Sequence, residues 1–415
     1  MRSRRDMLLG AGALLAGAGV PRVARAETLG ERRFVFVVAS GGWDPTRALQ
    51  PAFDVPGASL EPGAERVRLG DLSFVDHPSR PAVRGFFARW APQALVLNGL
   101  LVRSIAHDPC RRILLTGGPA GDTPDWPAIL AAEARESYVL PHVVLGGPNY
   151  AGDRAAFVAR TGAYGQLAEL LGDDALAGLD LPVTPLPAPA DDLVERFLAR
   201  RGPAYVAERV GTPGEGLARA WDQARGRARD LADLQATVDL GRAADVAGKI
   251  DVACELLSAG VARCVTMDTG AGSLYWDTHT ENDARQGPLW EGLFANLAQL
   301  MEGLAQRPGV NAATLLEETT VVVLSEMGRS PVLNGSRGKD HWPTTSALLL
   351  GAGVSGGRVL GGVDTRFAGI SVDPVTGAPD GAGVVPTAST LGASLLAMGD
   401  VDPEPWTDAP PLTLG

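Results

Sequence analysis

Short apolar runs recur along the chain, each closed by glycine or a polar cluster and separated by longer stretches with helical spacing. Phe34-Val35-Phe36-Val37-Val38-Ala39 predicts a buried strand that stops at Ser40-Gly41-Gly42. Residues 94–98, 142–145, 262–267, 320–324 and 346–350 predict five more. The run at 320–324 is the strongest, because Thr320-Val321-Val322-Val323 are all β-branched. Between them, residues 127–136 read as a helix with Pro127 in its first turn, where a missing N–H costs nothing. Residues 289–304 carry Leu289, Leu293, Leu297, Leu300 and Leu304 at near-helical intervals. Strands alternating with helices predict an α/β fold, with a mostly parallel central sheet flanked by helices.

Residues 150–245 break this rhythm. A Pro-rich connector at 182–189 leads into helical stretches at 191–200 and 217–240, rich in Ala, Arg, Asp and Leu. They read as a helical insertion packed on the sheet domain, since strands resume after it. The 415 residues then fit one large α/β domain. A chain that is 45% apolar and 20% charged is neither mostly disordered nor a polytopic membrane protein. Its net charge of −11 argues against nucleic acid as a partner, which would require a basic stripe. Three cysteines (Cys110, Cys254, Cys264) make no disulfide framework and include no C-x-x-C pair; one bridge would be possible and the sequence does not place it.

Residues 1–26 read as a targeting segment. Arg2, Arg4 and Arg5 precede an apolar run from Met7 to Val20, and Ala24-Arg25-Ala26 fits the small-x-small cleavage rule. That run is too short to span a bilayer of about 30 Å, so no stable membrane span is expected in the mature form. Ser3-Arg4-Arg5-Asp6-Met7-Leu8-Leu9 resembles the twin-arginine export motif. The expectation is passage through the twin-arginine translocase to the periplasm or beyond.

In an open parallel sheet, ligands bind outside the carboxyl ends of the strands. The polar clusters there are Ser40-Gly41-Gly42-Trp43-Asp44, Ser104-Ile105-Ala106-His107-Asp108, Trp276-Asp277-Thr278-His279 and Ser325-Glu326-Met327-Gly328-Arg329. A fifth, Lys339-Asp340-His341-Trp342-Pro343, precedes its strand, so its loop must reach over that edge. Three of the five histidines fall in these clusters. His77 and His142 read as structural. Carboxylates and imidazoles without thiolates suit a divalent metal such as Zn²⁺, Mn²⁺ or Mg²⁺. Candidate ligands are Asp44, Asp277, His279, Glu326, Asp340 and His341. Asp277 and His279, two apart in extended backbone, would face one ion together. Asp44 after Gly41-Gly42 has a second reading, as the cap of a turn. Two ions about 4 Å apart would clamp a phosphoryl group. Arg111 or Arg329 would neutralise a tetrahedral anion.

The segments Gly-Gly-Trp-Asp, Trp-Asp-Thr-His, Ser-Glu-Met-Gly-Arg-Ser-Pro and Lys-Asp-His-Trp-Pro, in that order, resemble the bacterial domain-of-unknown-function family 1501. The family is similar to the alkaline phosphatase and sulfatase superfamily, whose members bind one or two metals, Zn or Mn being favoured here over Mg or Ca. The resemblance implies an alkaline-phosphatase-like domain over residues 27–415. Its activity would be metal-dependent hydrolysis of a small anionic phosphate or sulfate ester. Asp44 would be the first strand-end Asp, Asp277 and His279 the Asp/His segment, Glu326 the second strand-end acid and His341 the late His. Residues 107–117 echo a sulfatase pattern and put His107 in the nucleophile slot, as phospho-histidine former or extra ligand. The chain departs from the pattern there, and again at Met327, which fills the slot of a metal-binding His. Met is a poor ligand for hard cations, which points to one of two metal sites missing or altered. The alternative is a catalytically degenerate member that binds a metal, ligand or envelope partner without turnover.

Overall fold

The computed structural model describes residues 30–161, 188–216, 218, 221, 222, 238–269 and 275–415. Its centre is an eight-stranded sheet. In chain order the strands are β1 (Arg33–Val38), β4 (Ala94–Leu101), β5 (His142–Val144), β6 (Val158–Arg160), β7 (Cys264–Asp268), β8 (Thr319–Leu324), β11 (Thr344–Gly351) and β12 (Arg358–Gly361), where β2 (Glu65–Leu69) and β3 (Leu72–Asp76) form a separate hairpin and β9 (Gly328–Arg329) pairs with β10 (His341–Trp342). Across the sheet the order is β12-β4-β11-β8-β1-β7-β5-β6. All six strands expected from the apolar runs are present. Those the pattern did not single out are short or lie at edges, where fewer apolar residues are needed.

Alternation along the central strands feeds two cores. Phe34 and Phe36 of β1 face one side, and Val35 and Val37 the other. The first side is covered by α2 (His107–Thr116), α3 (Trp126–Ala132) and α7 (Ala388–Met398). The second is covered by α1 (Pro81–Trp90), α5 (Val246–Ser258) and α6 (Asn282–Gln306). In α6 the expected apolar stripe is buried at Trp290, Leu293, Phe294, Leu297, Leu300, Met301 and Leu304. α3 is shorter than its sequence suggested, because Asp125 caps it and the chain turns away after Ala132.

The sheet is mostly parallel, as expected, with one exception: β11 runs antiparallel to both neighbours, β4 and β8. The reason is the connection. Residues 325–343 contain no helix, and a strand that pairs with its predecessor without a crossover must reverse direction. The Lys339–Pro343 segment therefore enters β11 at the same edge where β8 leaves, and no loop has to arch over the sheet.

Of the expected insertion, α4 (Ala188–Ala207) covers residues 191–200. The start of the Pro-rich connector, most of 217–240, and the targeting segment 1–26 lie outside the described residues. All three cysteines are buried free thiols. Among the described residues no helix is long and apolar enough to cross a membrane.

Candidate metal centre

Three histidines meet at the edge where β1, β4, β7 and β8 end and β11 begins. His107 is the first residue of α2, after the loop that follows β4. His279 sits in the segment between β7 and α6. His341 lies in β10, where its pairing with Arg329 of β9 fixes its position. The imidazoles pack closely, with His107 and His341 rings 4.5 Å apart and His279 and His341 rings 4.6 Å apart.

The outer nitrogen of each ring is held. His107 Nδ1 lies 3.0 Å from Glu326 Oε1. His279 Nδ1 lies 3.1 Å from Asp340 Oδ1, and His341 Nδ1 lies 2.7 Å from the carbonyl of Ile105. All three partners are acceptors, so each Nδ1 donates. Each Nε2 of a neutral ring is then left with its lone pair. These lone pairs converge. His279 Nε2 and His341 Nε2 are 2.9 Å apart. Asp277 Oδ1 is 3.1 Å from the former and 3.3 Å from the latter, and Asp277 Oδ2 is 3.5 Å from His107 Nε2. His107 Nε2 is buried without a hydrogen-bond partner.

Such a set of facing lone pairs and carboxylate oxygens is repulsive unless a cation or proton lies among them. A tetrahedral ion with bonds of about 2.0–2.1 Å sets its ligand atoms about 3.4 Å apart, close to the separations found here. Ligand-type atoms of His107, Asp277 and His341 all lie within 4.8 Å of one another, the group among the described residues with the make-up of an ion site. Ligating histidines characteristically donate their second nitrogen to a carboxylate or backbone carbonyl, as all three do. The donor set therefore fits a divalent ion.

This geometry separates the residues expected to act together. His107, Asp277, His279 and His341 point donor atoms inward. Glu326 and Asp340 do not: each accepts from an imidazole Nδ1, one step outside. Glu326 is fully buried, and the amide of Gly41 donates to both its oxygens at 2.8 and 3.0 Å. Gly41 itself has φ +122°, and a Cβ there would come within 2.6 Å of the Asp277 amide nitrogen, so glycine is required.

Asp44 is absent from the cluster. Its carboxylate is fully buried and caps the 3-10 turn Pro45–Arg47, accepting from the amide and hydroxyl of Thr46 at 3.1 and 2.6 Å. Its other oxygen faces Lys339 Nζ at 2.9 Å and Asn282 Nδ2 at 2.9 Å. Burial opposes ionisation of Asp44, yet Lys339 and then Arg47 outweigh it and hold the carboxyl well below the usual range. The turn-cap reading of this aspartate is the one the geometry matches.

Arg329 cannot hold a substrate anion. It is fully buried, and its guanidinium donates to the carbonyls of Gly41, Gly42, Trp276 and Lys339 and, at 2.7 Å, to Asp277 Oδ1. With its donors engaged it ties the Asp277 segment and the loop leading to His341 to the turn after β1. Burial works against the Asp277 carboxylate, and Arg329 overcomes it, so that Asp277 stays ionised to lower pH than usual. Arg111 differs: it pairs with Asp108 and lines an open cleft of about 500 Å³ with Ser40, Asn149, Tyr150 and Arg160. The cleft lining includes Asp108, which follows His107 in α2, and Ser40, which precedes the Gly41 that donates to Glu326. Met327 is buried in the hydrophobic core.

Sequence reading passed over Lys339, Asn282 and the Ile105 carbonyl. The last two gave no sequence signal. Lys339 gave one, as a lysine beside Asp340-His341, but only the fold brings Asp44 to it.

The sequence matches no curated protein. By structure the chain is similar to an alkaline phosphatase superfamily protein from Vibrio parahaemolyticus, at 8% identity, covering 90% of this chain and 68% of that one with a TM-score of 0.39. It is similar to the PsFucS1 sulfatase from Pseudoalteromonas, at 11% identity, covering 91% and 69% with a TM-score of 0.38. It is also similar to a phosphonate monoester hydrolase of Agrobacterium radiobacter, at 11% identity, covering 89% and 74% with a TM-score of 0.30. Residues 227–377, which contain Asp277, His279, Glu326, Arg329, Lys339, Asp340 and His341, match the model of the family described as a protein of unknown function (DUF1501), the family its motifs resemble.

Proposed function

We propose that the protein is an exported, metal-dependent hydrolase of phosphate or sulfate esters, with one divalent ion held by His107, Asp277, His279 and His341. The observation that supports this most is the convergence of three imidazole Nε2 atoms on one carboxylate, with every Nδ1 anchored outward. An ion bound there would supply a Lewis acid to an ester oxygen. The chain does the rest. Glu326, Asp340 and the Ile105 carbonyl orient the rings. Arg329 keeps Asp277 ionised and in register. The adjoining cleft receives the remainder of the substrate, with Arg111 and Arg160 drawing an anion toward the cluster.

In this reading His107 serves as a ligand, because Glu326 already takes its Nδ1 and its Nε2 faces Asp277. Water then attacks the phosphorus or sulfur, the ester bond breaks, and the alcohol leaves with a proton. Residues 1–26 direct the chain through the twin-arginine translocase, and residues 27–415 form one domain with the insertion at 150–245.

The test is metal content together with arylphosphate and arylsulfate hydrolysis of the purified protein, beside Asp277→Ala and His341→Ala. Loss of bound metal and of turnover in both variants is expected; full activity in both would refute the assignment. The lack of a serine, threonine or cysteine in the nucleophile slot favours a second reading, binding without turnover. Stoichiometric metal with no hydrolysis across a broad ester panel would select it.

A further inference from the structure

The superfamily that the motifs resemble binds one or two metals, with a strand-end aspartate among the ligands. Asp44 is the residue of this chain in that slot, and its surroundings do not fit an ion. All its acceptor positions are taken by Thr46, Asn282 and Lys339. Lys339 is as buried as Asp44, both at 0% exposure, and its Nζ also lies 3.3 Å from Thr46 Oγ1.

The charges around the pair balance. Arg47 lies 3.7 Å from Asp44, pairs with Asp283 and reaches Glu61 at 3.9 Å, and Arg80 meets Glu61 at 2.6 Å. His77 stands 3.8 Å from Glu61 on the outside. Arg47, Arg80 and Lys339 thus face Asp44, Glu61 and Asp283, three cations against three carboxylates. A divalent ion added beside Asp44 would leave buried positive charge uncompensated, which is costly in a low-dielectric interior.

Lys339 also lies within the loop that carries two site residues. Its amide donates to the Thr278 carbonyl at 3.1 Å, between Asp277 and His279, and its carbonyl accepts from Arg329. Asp340 and His341 follow it directly. An ammonium seated on Asp44 therefore registers the His341 loop, the Asp277–His279 segment and the turn after β1 against one another.

We propose that Lys339 is a built-in cation that takes the place of a second metal ion against Asp44, so that the centre holds a single ion and the Asp44–Lys339 pair acts as its positioning lock. This rests on reading the histidine cluster as a metal centre. Removing the ammonium leaves the Asp44 carboxylate and the Thr46 hydroxyl as oxygen donors around a site one positive charge short, which suits a hard cation such as Mn²⁺.

The experiment is metal stoichiometry of the full-length mature protein, measured by elemental analysis after Zn²⁺ saturation and by Mn²⁺ titration, for the unaltered protein, Lys339→Ala and the charge-neutral double variant Asp44→Asn/Lys339→Met. One ion per chain is expected for the unaltered protein and the double variant. A second, more weakly held Mn²⁺ is expected for Lys339→Ala. Two ions in the unaltered protein would overturn the Lys339 assignment and leave the metal centre standing; none would overturn the metal centre itself and this assignment with it. A folded Lys339→Ala that still stops at one ion would also overturn the assignment. If that variant fails to fold, the other two proteins decide: one ion in each supports the assignment, two in either overturns it.

Discussion

At the residue scale, burial sorts groups that look alike in the sequence. Arg329 and Arg111 were equal candidates for an anion clamp, but one is sealed inside the protein and the other lines a cleft. Arg329→Ala should lose about 3–5 kcal/mol of stability, since it strands a carboxylate and several carbonyls; urea denaturation would show it. Arg111→Ala should keep its stability and raise KM for anionic esters with kcat little changed, measured by steady-state kinetics. Glu326 and Asp340 both hold an imidazole Nδ1, yet Glu326 is fully buried and Asp340 has a side chain 64% exposed. Glu326→Gln should therefore weaken Zn²⁺ binding about 10–100-fold, as loss of an outer hydrogen-bond partner does, and Asp340→Asn by less, both read by chelator competition. Equal effects of the two would count against burial as the deciding factor.

At the element scale, Asp125 closes the start of α3. It accepts from the Ala128 amide at 2.9 Å, the Tyr150 amide at 2.6 Å and Asn149 Nδ2 at 3.0 Å, so it also pins one wall of the cleft. Burial raises its carboxyl from the ordinary 3.8 to about 6. The folded state thus binds this proton more tightly than the unfolded chain. Below about pH 4 both are protonated; as pH climbs toward 6 the unfolded chain ionises first, and the contribution of Asp125 falls. Asp44 runs the other way, since its carboxyl is held low and its contribution is lost only as pH drops below the ordinary carboxylate range. Denaturation between pH 4 and 7 should show a fall in stability with rising pH that Asp125→Asn removes. An unchanged slope in that variant would contradict the assignment.

At the scale of the whole molecule, the candidate site depends on segments far apart in the chain meeting at one sheet edge. An ion that binds only this assembled arrangement stabilises the fold by mass action, by about 2.7 kcal/mol at a free concentration one hundred times its Kd. Zn²⁺ should raise Tm, chelator should reverse the rise, and His279→Ala should abolish it in a thermal melt. A melt insensitive to Zn²⁺ would mean that the histidines do not bind it in the folded state.

The amino-acid pattern by itself determined the six principal strands, two of the helices that flank them (α3 and α6), and which clusters stand at strand ends, because burial on both faces of a central strand demands unbroken apolar runs and leaves polar residues for the loops. It also brought out Asp277, His279 and His341 as a group, and His107 as a residue out of keeping with its slot. What it did not carry was the direction of β11, which follows from a connection without a helix, or the partner of each polar side chain. Whether an aspartate meets an imidazole, as Asp277 does with His341, or an ammonium, as Asp44 does with Lys339, is fixed by distances of a few ångströms between residues on separate segments of the chain, and electrostatic strength in a buried site depends on those distances rather than on the order of residues along the chain.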